Sequence, residues 1–310
     1  MRALITGIGG FVGGHLTALL RQEGFDVWGI DRLSTPADVA NRAVAIELGD
    51  VCDPAFTSRV VQAARPTHVF HLAWEFDPHR TESTHPADRN VLGLNTLLES
   101  IAASANDARI MIASSSAVYG ASHRNVIDED APLTPTNAYG ISKVAMETAA
   151  ASFRGPHGMN IVVTRTFNLL GPGMPPRLFA GSLAAQIVAA ERGGSPTIKV
   201  GRLDSSRDYI DVRDAVRAYL ALASRSTPEP WVFNVCAGVS HSCRELADKM
   251  FALASVPVTL DHDASRLQSG DIDDQRGSSA RLQRTTGWMP AVAFSTSVRD
   301  TLDHARKRAD

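Results

Sequence analysis

The chain has 310 residues, of which 44% are hydrophobic and 21% are charged. This length predicts two lobes, or one large α/β unit with an added lobe, and it allows a substantial core without disulfide or metal staples. Lys and Arg number 31 against 33 for Asp and Glu, which gives a net charge of −2. A near-neutral balance offers no attraction to a polyanion, so nucleic-acid binding is not expected.

Cysteine and histidine usage argues against metal and disulfide chemistry. The cysteines Cys52, Cys236 and Cys243 are odd in number and form no Cys-x-x-Cys pair, and the ten histidines show no metal-ligand spacing. This favours a reduced compartment and no metal site. The N-terminal residues lead directly into a strand-like run, and no stretch approaches the ~20 apolar residues that cross a bilayer. We therefore expect a cytoplasmic protein without a membrane partner.

Short apolar runs alternate with helix-length segments over the first 165 residues. The predicted strands cover residues 3–6, 26–30, 68–72, 109–113 and 161–164, and the predicted helices cover 12–22, 56–64, 89–103 and 139–153. This order predicts an α/β fold with a doubly wound parallel sheet, whose ligand binds beyond the carboxyl ends of the strands. Turn-forming residues are dense at 171–176 and 193–196, and a helix cap at Asp211 precedes a predicted helix over 215–223 and a strand over 231–235.

A glycine-rich turn follows the first predicted strand. Gly7, Gly10 and Gly13 have Gly-x-x-Gly-x-x-Gly spacing, and Phe11 and Val12 open the apolar helix. Such a turn lets the backbone approach a pyrophosphate, whose charge the helix N-terminus attracts. The turn predicts a dinucleotide site, although tight packing alone can also require glycines.

Acidic residues at later strand ends bear on the choice of dinucleotide. Asp31 ends the second predicted strand, where a carboxylate can accept hydrogen bonds from ribose hydroxyls. It would repel a 2′-phosphate, which favours NAD(H), while the neighbouring Arg32 offsets that repulsion and leaves NADP(H) open. We expect Asp50 and Val51 to flank the adenine, although an acid in a loop is often simply solvated.

A tyrosine and a lysine are spaced for proton transfer. Tyr139 and Lys143 lie four residues apart and so share a helix face. The nearby ammonium favours phenolate, so we expect it to lower the pKa of Tyr139 from ~10 toward neutrality. Ser115 and Ser116 belong to a serine cluster at a strand end, where a hydroxyl can bind a substrate carbonyl. A surface pair and a helix cap are the alternative interpretations of these motifs.

These motifs are similar to those of the extended short-chain dehydrogenase/reductase family, also called the NAD-dependent epimerase/dehydratase family, in its nucleotide-sugar branch. The resemblance covers essentially the whole chain. It implies a Rossmann-type domain over 1–165 and 206–235, a smaller α/β nucleotide-sugar lobe over 166–205 and 236–310, and a homodimer. It implies that Ser115, Tyr139 and Lys143 are catalytic. It also implies that Leu72, Ala73 and Asn90 join Tyr139 and Lys143 at the cofactor.

Four later segments resemble the family members that reduce the C4 ketone of GDP-4-keto-6-deoxy-D-mannose with NAD(P)H. These segments cover residues 165–173, 206–214, 233–238 and 276–282. The implied partner is a nucleotide-diphosphate sugar, with a GDP-linked one favoured. The sugar-site residues expected on this basis are Trp74, Ser115, Ser116, Asn168, Arg177, Arg207 and Arg276.

Two alternatives to this reductase remain. The family's dehydratases carry a carboxylate just after the catalytic hydroxyl, where this chain has Ser116 and Ala117, so dehydration is disfavoured. A redox-neutral C4 epimerase that retains NAD needs only the serine, tyrosine and lysine, and it stays open. A non-catalytic dinucleotide sensor is disfavoured because all three of those residues are present.

Overall fold

The computed structural model describes residues 1–32, 35–74, 86–104, 107–122, 125–225, 229–263 and 273–309. Its helices are α1 (Phe11–Gln22), α2 (Ala37–Ala40), α3 (Pro54–Ala64), α4 (Pro86–Ser104), α5 (Ala138–His157), α6 (Phe179–Glu191), α7 (Val212–Ala223), α8 (Cys243–Phe251), α9 (Ala280–Thr286) and α10 (Phe294–Ala309). Its strands are β1 (Arg2–Thr6), β2 (Asp26–Asp31), β3 (Ala45–Leu48), β4 (His68–His71), β5 (Arg109–Ser115), β6 (Asn160–Thr166), β7 (Asn168–Leu170), β8 (Thr197–Val200), β9 (Ser206–Asp211), β10 (Val232–Val235), β11 (Ser240–Ser242), β12 (Thr259–His262) and β13 (Asp274–Gln275). A short 3-10 turn covers Ser116–Tyr119.

Seven parallel strands form the main sheet in the order β3-β2-β1-β4-β5-β6-β10. From β1 the chain first builds outward through β2 and β3, and it then crosses to β4 on the other side. The order of the strands therefore reverses between β1 and β4, and open α/β sheets bind ligands at that point. This architecture confirms the predicted doubly wound α/β fold.

Consecutive apolar residues on each central strand face opposite sides of this sheet. Leu4 belongs to a core with α3, α4 and α5, whereas Ile5 belongs to a core with α1 and α7. Ile110 and Met111 of β5 divide in the same way. Burial on both faces explains why these strands are continuously apolar rather than alternating.

A smaller region carries a second set of strands. Strand β9 lies between β11 and β13 and also pairs with β7, and β8 pairs with β12. Helices α6, α8 and α10 bury apolar side chains together in a separate cluster, with Leu183, Leu246 and Leu302 among its members. Strand β9 belongs to this smaller sheet, while α7 and β10 pack with the main one. The division into one domain over 1–165 and 206–235 and a second over 166–205 and 236–310 stays a prediction.

Most of the predicted elements are present, with different ends. Strand β5 continues two residues beyond the predicted end, so Ser114 and Ser115 lie in the strand itself. Strand β3 was not among the predicted strands; it is short and only partly buried. No helix within the described ranges is both long and apolar enough to cross a membrane.

Candidate active site

The glycine turn joins β1 to α1 at the point where the strand order reverses. Gly7 has a φ of 75°, which glycine adopts without strain, and its N–H donates to the carbonyl of Ile30 at 2.8 Å. A Cβ on Gly13 would lie 2.5 Å from the carbonyl oxygens of both Gly7 and Ile8. The turn therefore packs too tightly for any side chain at Gly13.

The N-terminus of α1 is available to an anion. Gly10 is its N-cap, and it supplies no side-chain hydrogen bond to the first turn of the helix. The N–H groups of Phe11 and Val12 lie in that first turn, which carries partial positive charge. An uncapped helix start beside a turn without side chains fits the pyrophosphate of a dinucleotide.

A cleft of about 650 Å³ opens beside this turn. It brings together residues from the ends of β1, β2, β4 and the start of α4. The predicted cofactor-site residues that line it are Gly7, Gly10, Asp31, Arg32, Asp50, Val51, Leu72, Ala73 and Asn90. Trp74 and Arg177, predicted for the sugar, line it as well.

The carboxylate of Asp31 is oriented by the backbone around it. Its Oδ2 accepts the N–H of Gly9 at 2.8 Å, and its Oδ1 accepts the N–H of Arg32 at 2.8 Å. These bonds fix the carboxylate at the mouth of the glycine turn, on the wall of the cleft. This is where an acceptor for ribose hydroxyls is needed.

Asp50 forms an ion pair that the sequence did not reveal. Arg89 of α4 donates to its Oδ2, and the Cys52 N–H donates to its Oδ1 at 2.9 Å. Partial burial works to raise the pKa of Asp50, but the hydrogen bonds from Cys52 and Arg89 outweigh it and lower the pKa. Asp50 and Arg89 thus form a charged wall at the end of the cleft where adenine was predicted.

Three consecutive residues at the end of β5 are each bonded to α5. Lys143 Nζ donates to the carbonyl of Ala113 at 2.8 Å, and Ser114 Oγ donates to Glu147 Oε1 at 2.5 Å. A side-chain hydrogen bond joins Ser115 to Tyr139. The structure therefore places the three predicted catalytic side chains together, at the carboxyl end of a central parallel strand.

Burial controls the proton affinities of the tyrosine and the lysine. It raises the pKa of Tyr139, and the hydrogen bond from Ser115 only partly opposes this rise. The predicted lowering by Lys143 is therefore wrong for this structure: the ammonium lies 5.8 Å from the phenol ring centroid, and burial dominates. Burial also lowers the pKa of Lys143 to about 8, against the attraction of Glu147.

Trp74 connects this group to the cleft. Its ring centroid lies 4.7 Å from that of Tyr139 at an interplanar angle of 45°, and Lys143 Nζ lies 5.9 Å from the indole centroid. The side chain is 39% exposed. An aromatic surface of this size suits contact with the C–H groups of a ligand at the tyrosine.

His71 and Asn90 support the same region from behind. His71 is buried, its Nδ1 bonds to Thr6 Oγ1 at 2.9 Å, and burial followed by the Lys143 charge lowers its pKa to about 3. With so low a pKa, His71 stays neutral at physiological pH. Asn90 Nδ2 donates to Ser142 Oγ at 3.0 Å, which ties α4 to α5 next to Lys143.

The predicted sugar-site residues beyond the cleft lie on the smaller sheet. Arg207 is on β9, Asn168 opens β7 opposite Tyr209 of β9, and Arg276 directly follows β13. Arg276 Nε is buried without a hydrogen-bond partner in the described residues. The three residues therefore share one sheet, which is separate from the sheet that carries Ser115.

Ser116 lies differently from the other predicted sugar-site residues. It is buried, its hydroxyl donates to Gln275 Oε1 at 3.1 Å, and Gln275 Nε2 donates back to the carbonyl of Ser116 at 3.1 Å. Gln275 is the register partner of Arg207. Ser116 therefore links the 3-10 turn to the smaller sheet and does not line the cleft.

Within the part of the chain that the structure describes, no three His, Cys, Asp or Glu side chains come together as metal ligands. The cysteines Cys52, Cys236 and Cys243 are free thiols.

Known proteins are similar to this chain over nearly its whole length. The family model described as GDP-mannose 4,6 dehydratase matches residues 4–301. A Pseudomonas aeruginosa protein named GDP-6-deoxy-D-mannose reductase is 33% identical over 99% of this chain and 98% of its own length. The chain therefore belongs to the GDP-mannose 4,6-dehydratase family of extended short-chain dehydrogenases/reductases, which confirms the resemblance seen in the sequence.

Solved structures agree with this assignment. The structure of RMD from Pseudomonas aeruginosa, complexed with NADPH, has a TM-score of 0.85 and 29% identity, covering 99% of each chain. The UDP-glucose 4-epimerase of Thermus thermophilus, complexed with NAD, has a TM-score of 0.86 and 27% identity, again over 99% of each chain. The chain is thus a member of a family of nucleotide-sugar C4 reductases and epimerases.

Proposed function

We propose that this protein is an NAD(P)H-dependent reductase of the C4 ketone of a nucleotide-diphospho-4-keto-6-deoxyhexose. The observation that carries the proposal is the alignment of Ser115, Tyr139 and Lys143 at the end of β5, joined through Trp74 to the cleft beside the glycine turn. The favoured substrate is GDP-4-keto-6-deoxy-D-mannose, reduced to GDP-D-rhamnose or its C4 epimer. The name of the Pseudomonas aeruginosa relative supports a GDP-linked sugar.

The residues of the cleft fit a nicotinamide dinucleotide. The turn at Gly7, Gly10 and Gly13 would receive the pyrophosphate, and Asp31 would bind the adenosine ribose, which favours NAD(H) over NADP(H). Lys143 and Tyr139 would face the nicotinamide end. When bound, the reduced dinucleotide supplies the hydride that adds to C4.

The raised pKa of Tyr139 suits a proton donor. A phenol that is held neutral at physiological pH carries the proton that the C4 oxygen needs as the ketone becomes an alcohol. Ser115, bonded to the same phenol, orients the carbonyl oxygen. The Lys143 ammonium, held by the Ala113 carbonyl, stabilises the negative charge left on Tyr139.

The residues after Ser115 disfavour dehydration. A 4,6-dehydratase requires a group that removes the C5 proton and helps to expel the C6 hydroxyl. Ser116 is buried and bonded to Gln275, and Ala117 has no ionisable group. Neither residue can serve as that acid or base.

Arginines would hold the diphosphate of the sugar nucleotide. Arg177 lines the cleft, and Arg207 and Arg276 lie on the smaller sheet; a guanidinium binds phosphate oxygens through two parallel hydrogen bonds.

A homodimer and a cytoplasmic location complete the proposal. Free thiols at Cys52, Cys236 and Cys243 support a reducing compartment.

The direct test incubates the protein with GDP-4-keto-6-deoxy-D-mannose and either NADH or NADPH. We expect the reduced coenzyme to be oxidised, as followed by its absorbance, in an amount equal to the amount of alcohol product formed. Tyr139→Phe should reduce the rate by at least about a thousandfold because it removes the proton donor. Tyr209→Phe is the matched control, since Tyr209 lies on β9 of the smaller sheet and its hydroxyl bonds to Cys243 at the start of α8. Full activity of Tyr139→Phe, or no oxidation of either coenzyme, would contradict the proposal.

The second candidate is a redox-neutral C4 epimerase of a nucleotide sugar. The similarity to the Thermus thermophilus epimerase supports it, because that chemistry needs the same serine, tyrosine and lysine. It requires NAD that stays bound through purification and is not consumed. Interconversion of UDP-glucose and UDP-galactose, without added coenzyme, would favour this alternative.

A further inference from the structure

Glu147 lies one helical turn beyond Lys143 on α5, and the proposed reaction does not use it. It is 6% exposed, and its Oε1 accepts the Ser114 hydroxyl at 2.5 Å. Arg165 of β6 donates to it through Nη2 at 2.7 Å and through Nε at 3.1 Å. A carboxylate with this little exposure needs such partners, because burying it unpaired is costly.

Three residues of α5 each contact one residue at the end of β5. Tyr139, Lys143 and Glu147 follow one another at intervals of four, so they share a helix face. They bond respectively to Ser115, Ala113 and Ser114. Glu147 is thus the third attachment between the catalytic helix and the strand end that carries Ser115.

A larger buried network fixes Glu147 in turn. Arg165 Nη1 donates to Tyr119 Oη at 3.1 Å and to the Glu129 carbonyl at 3.2 Å, and Tyr119 Oη donates to Asn234 Oδ1 at 2.6 Å. The Asn234 N–H donates to Glu129 Oε1 at 2.8 Å. The network connects α5, β6, β10 and the 3-10 turn, so the position of Glu147 is set by four elements.

We propose that Glu147 is a positioning residue for the reaction: held by Arg165, it fixes α5 against the end of β5 through Ser114, and so places a negative charge one helical turn from the Lys143 ammonium. This inference rests on the proposed function only for its effect on turnover. Its effect on Lys143 is a property of the folded chain itself.

Of the titratable groups described around Lys143, Glu147 is the one that can stabilise the positive charge of its ammonium. Tyr139 on the same helix is a neutral phenol, and His71 on β4 is a neutral imidazole. Arg165 lies behind Glu147 and is paired with it. Among these groups only Glu147 offers Lys143 an opposite charge, and it counteracts the burial that lowers the lysine pKa.

The test follows the proton on Lys143 directly. The chain has four lysines, so labelling lysine with ¹³C at Cε gives four signals whose shifts can be titrated by NMR on the full-length protein. Lys143→Arg identifies the relevant signal. In Glu147→Gln we expect the Lys143 midpoint to fall by about one pH unit, because the neighbouring negative charge is gone. An unchanged midpoint would overturn the proposal.

Glu129→Gln is the matched control. Glu129 is a buried acid of the same network, in contact with Arg281 at 3.4 Å, and among the described residues none of its bonds reaches α5 or β5. It should lower thermal stability as Glu147→Gln does and leave the Lys143 midpoint in place. Equal shifts in both variants would show a general loss of structure and would refute a specific role.

Two further variants separate position from charge. Ser114→Ala removes the hydrogen bond between β5 and Glu147 but keeps the Glu147 carboxylate. The Lys143 titration midpoint should therefore stay, while kcat falls about tenfold at constant KM. An unchanged kcat would contradict the positioning role. If Glu147→Gln alone does not fold, the double variant Glu147→Gln/Arg165→Gln leaves no unpaired buried charge, and its Lys143 midpoint should also fall. If the proposed substrate is not turned over, the NMR titration still decides the role of Glu147.

Discussion

At the residue scale, Asp31 is the group best placed to choose between the two dinucleotides. Its two oxygens are fixed by the N–H groups of Gly9 and Arg32, so the charge cannot swing away from a ligand in the cleft. We predict that Asp31→Asn lowers the ratio of kcat/KM for NADH to that for NADPH by about tenfold, equivalent to about 1.4 kcal/mol.

The matched variant is Arg32→Ala. It removes a positive charge from the same wall of the cleft, so it should weaken NADPH more than NADH and move the ratio the other way. Initial rates measured with each coenzyme at varied concentration provide the kcat/KM ratios. Ratios that stay equal in all three proteins would show that the preference lies elsewhere.

The sequence predicted the proposed catalytic side chains but not the groups that hold them. Tyr139 and Lys143 were predictable because one helical turn separates them. Arg89 pairs with Asp50 from 39 residues away, and Ser116 bonds to Gln275 from 159 residues away. Partners this distant depend on the complete fold, and so does the burial that raises the Tyr139 pKa, which reversed the expected direction.

At the scale of elements, the turn between β1 and α1 allows a sharp comparison of two glycines. Both Gly13 and Gly155 lie inside helices, but a Cβ on Gly13 would be 2.5 Å from two carbonyl oxygens, and one on Gly155 would meet nothing within 4 Å. We predict that Gly13→Ala abolishes dinucleotide binding and lowers the thermal midpoint, because the turn must open to admit the methyl group.

Gly155→Ala is the control, because Gly155 lies in the exposed last turn of α5. It should keep its coenzyme affinity, while the proline that follows it disfavours a side chain in the helical conformation, so no gain in stability is expected. Thermal unfolding and calorimetric titration with NADH measure both effects. Normal binding by Gly13→Ala would mean that the tight turn is not the pyrophosphate site.

Elements buried on both faces were the easiest to predict. Strands β1, β4 and β5 have consecutive apolar residues at their centres, because packing on both faces of the sheet buries successive side chains. Strand β3 lies at the edge of the sheet, is partly buried and contains Glu47, so its pattern is weak. The smaller sheet is assembled from short strands far apart in the chain, and only the folded structure shows that Arg207 and Arg276 are neighbours there.

At the scale of the whole molecule, buried histidines couple the fold to pH. Burial, aided by the charge of Arg109, lowers the pKa of His68 to about 4, and burial lowers that of His71 to about 3. Well above pH 6.5 both are neutral whether the chain is folded or not, so they add no pH dependence there. Below pH 6.5 these histidines bind protons in the unfolded chain but not in the folded chain. The free energy of unfolding therefore falls as the pH is lowered toward 4 and 3.

Asp208 acts in the opposite direction. Burial, opposed by N–H groups of Ala237, Gly277 and Gly238, raises its pKa to about 6. Between pH 6 and about 3.8 the folded chain therefore takes up a proton before the unfolded one does, which favours folding. The total slope mixes both effects, so only a difference between variants isolates a histidine.

His68→Gln provides that difference, since His68 lies at the start of β4, at the opposite end of the strand from the cleft. Removing one proton acceptor from the unfolded state should make the slope of unfolding free energy between about pH 6 and pH 5 shallower by up to about 1.4 kcal/mol per pH unit. Urea unfolding at each pH gives this slope. His262→Gln is the control, because that imidazole is exposed and solvated before and after unfolding. Parallel curves for wild type and His68→Gln would contradict the prediction, since they would require His68 to take up its proton equally in the folded and unfolded chains.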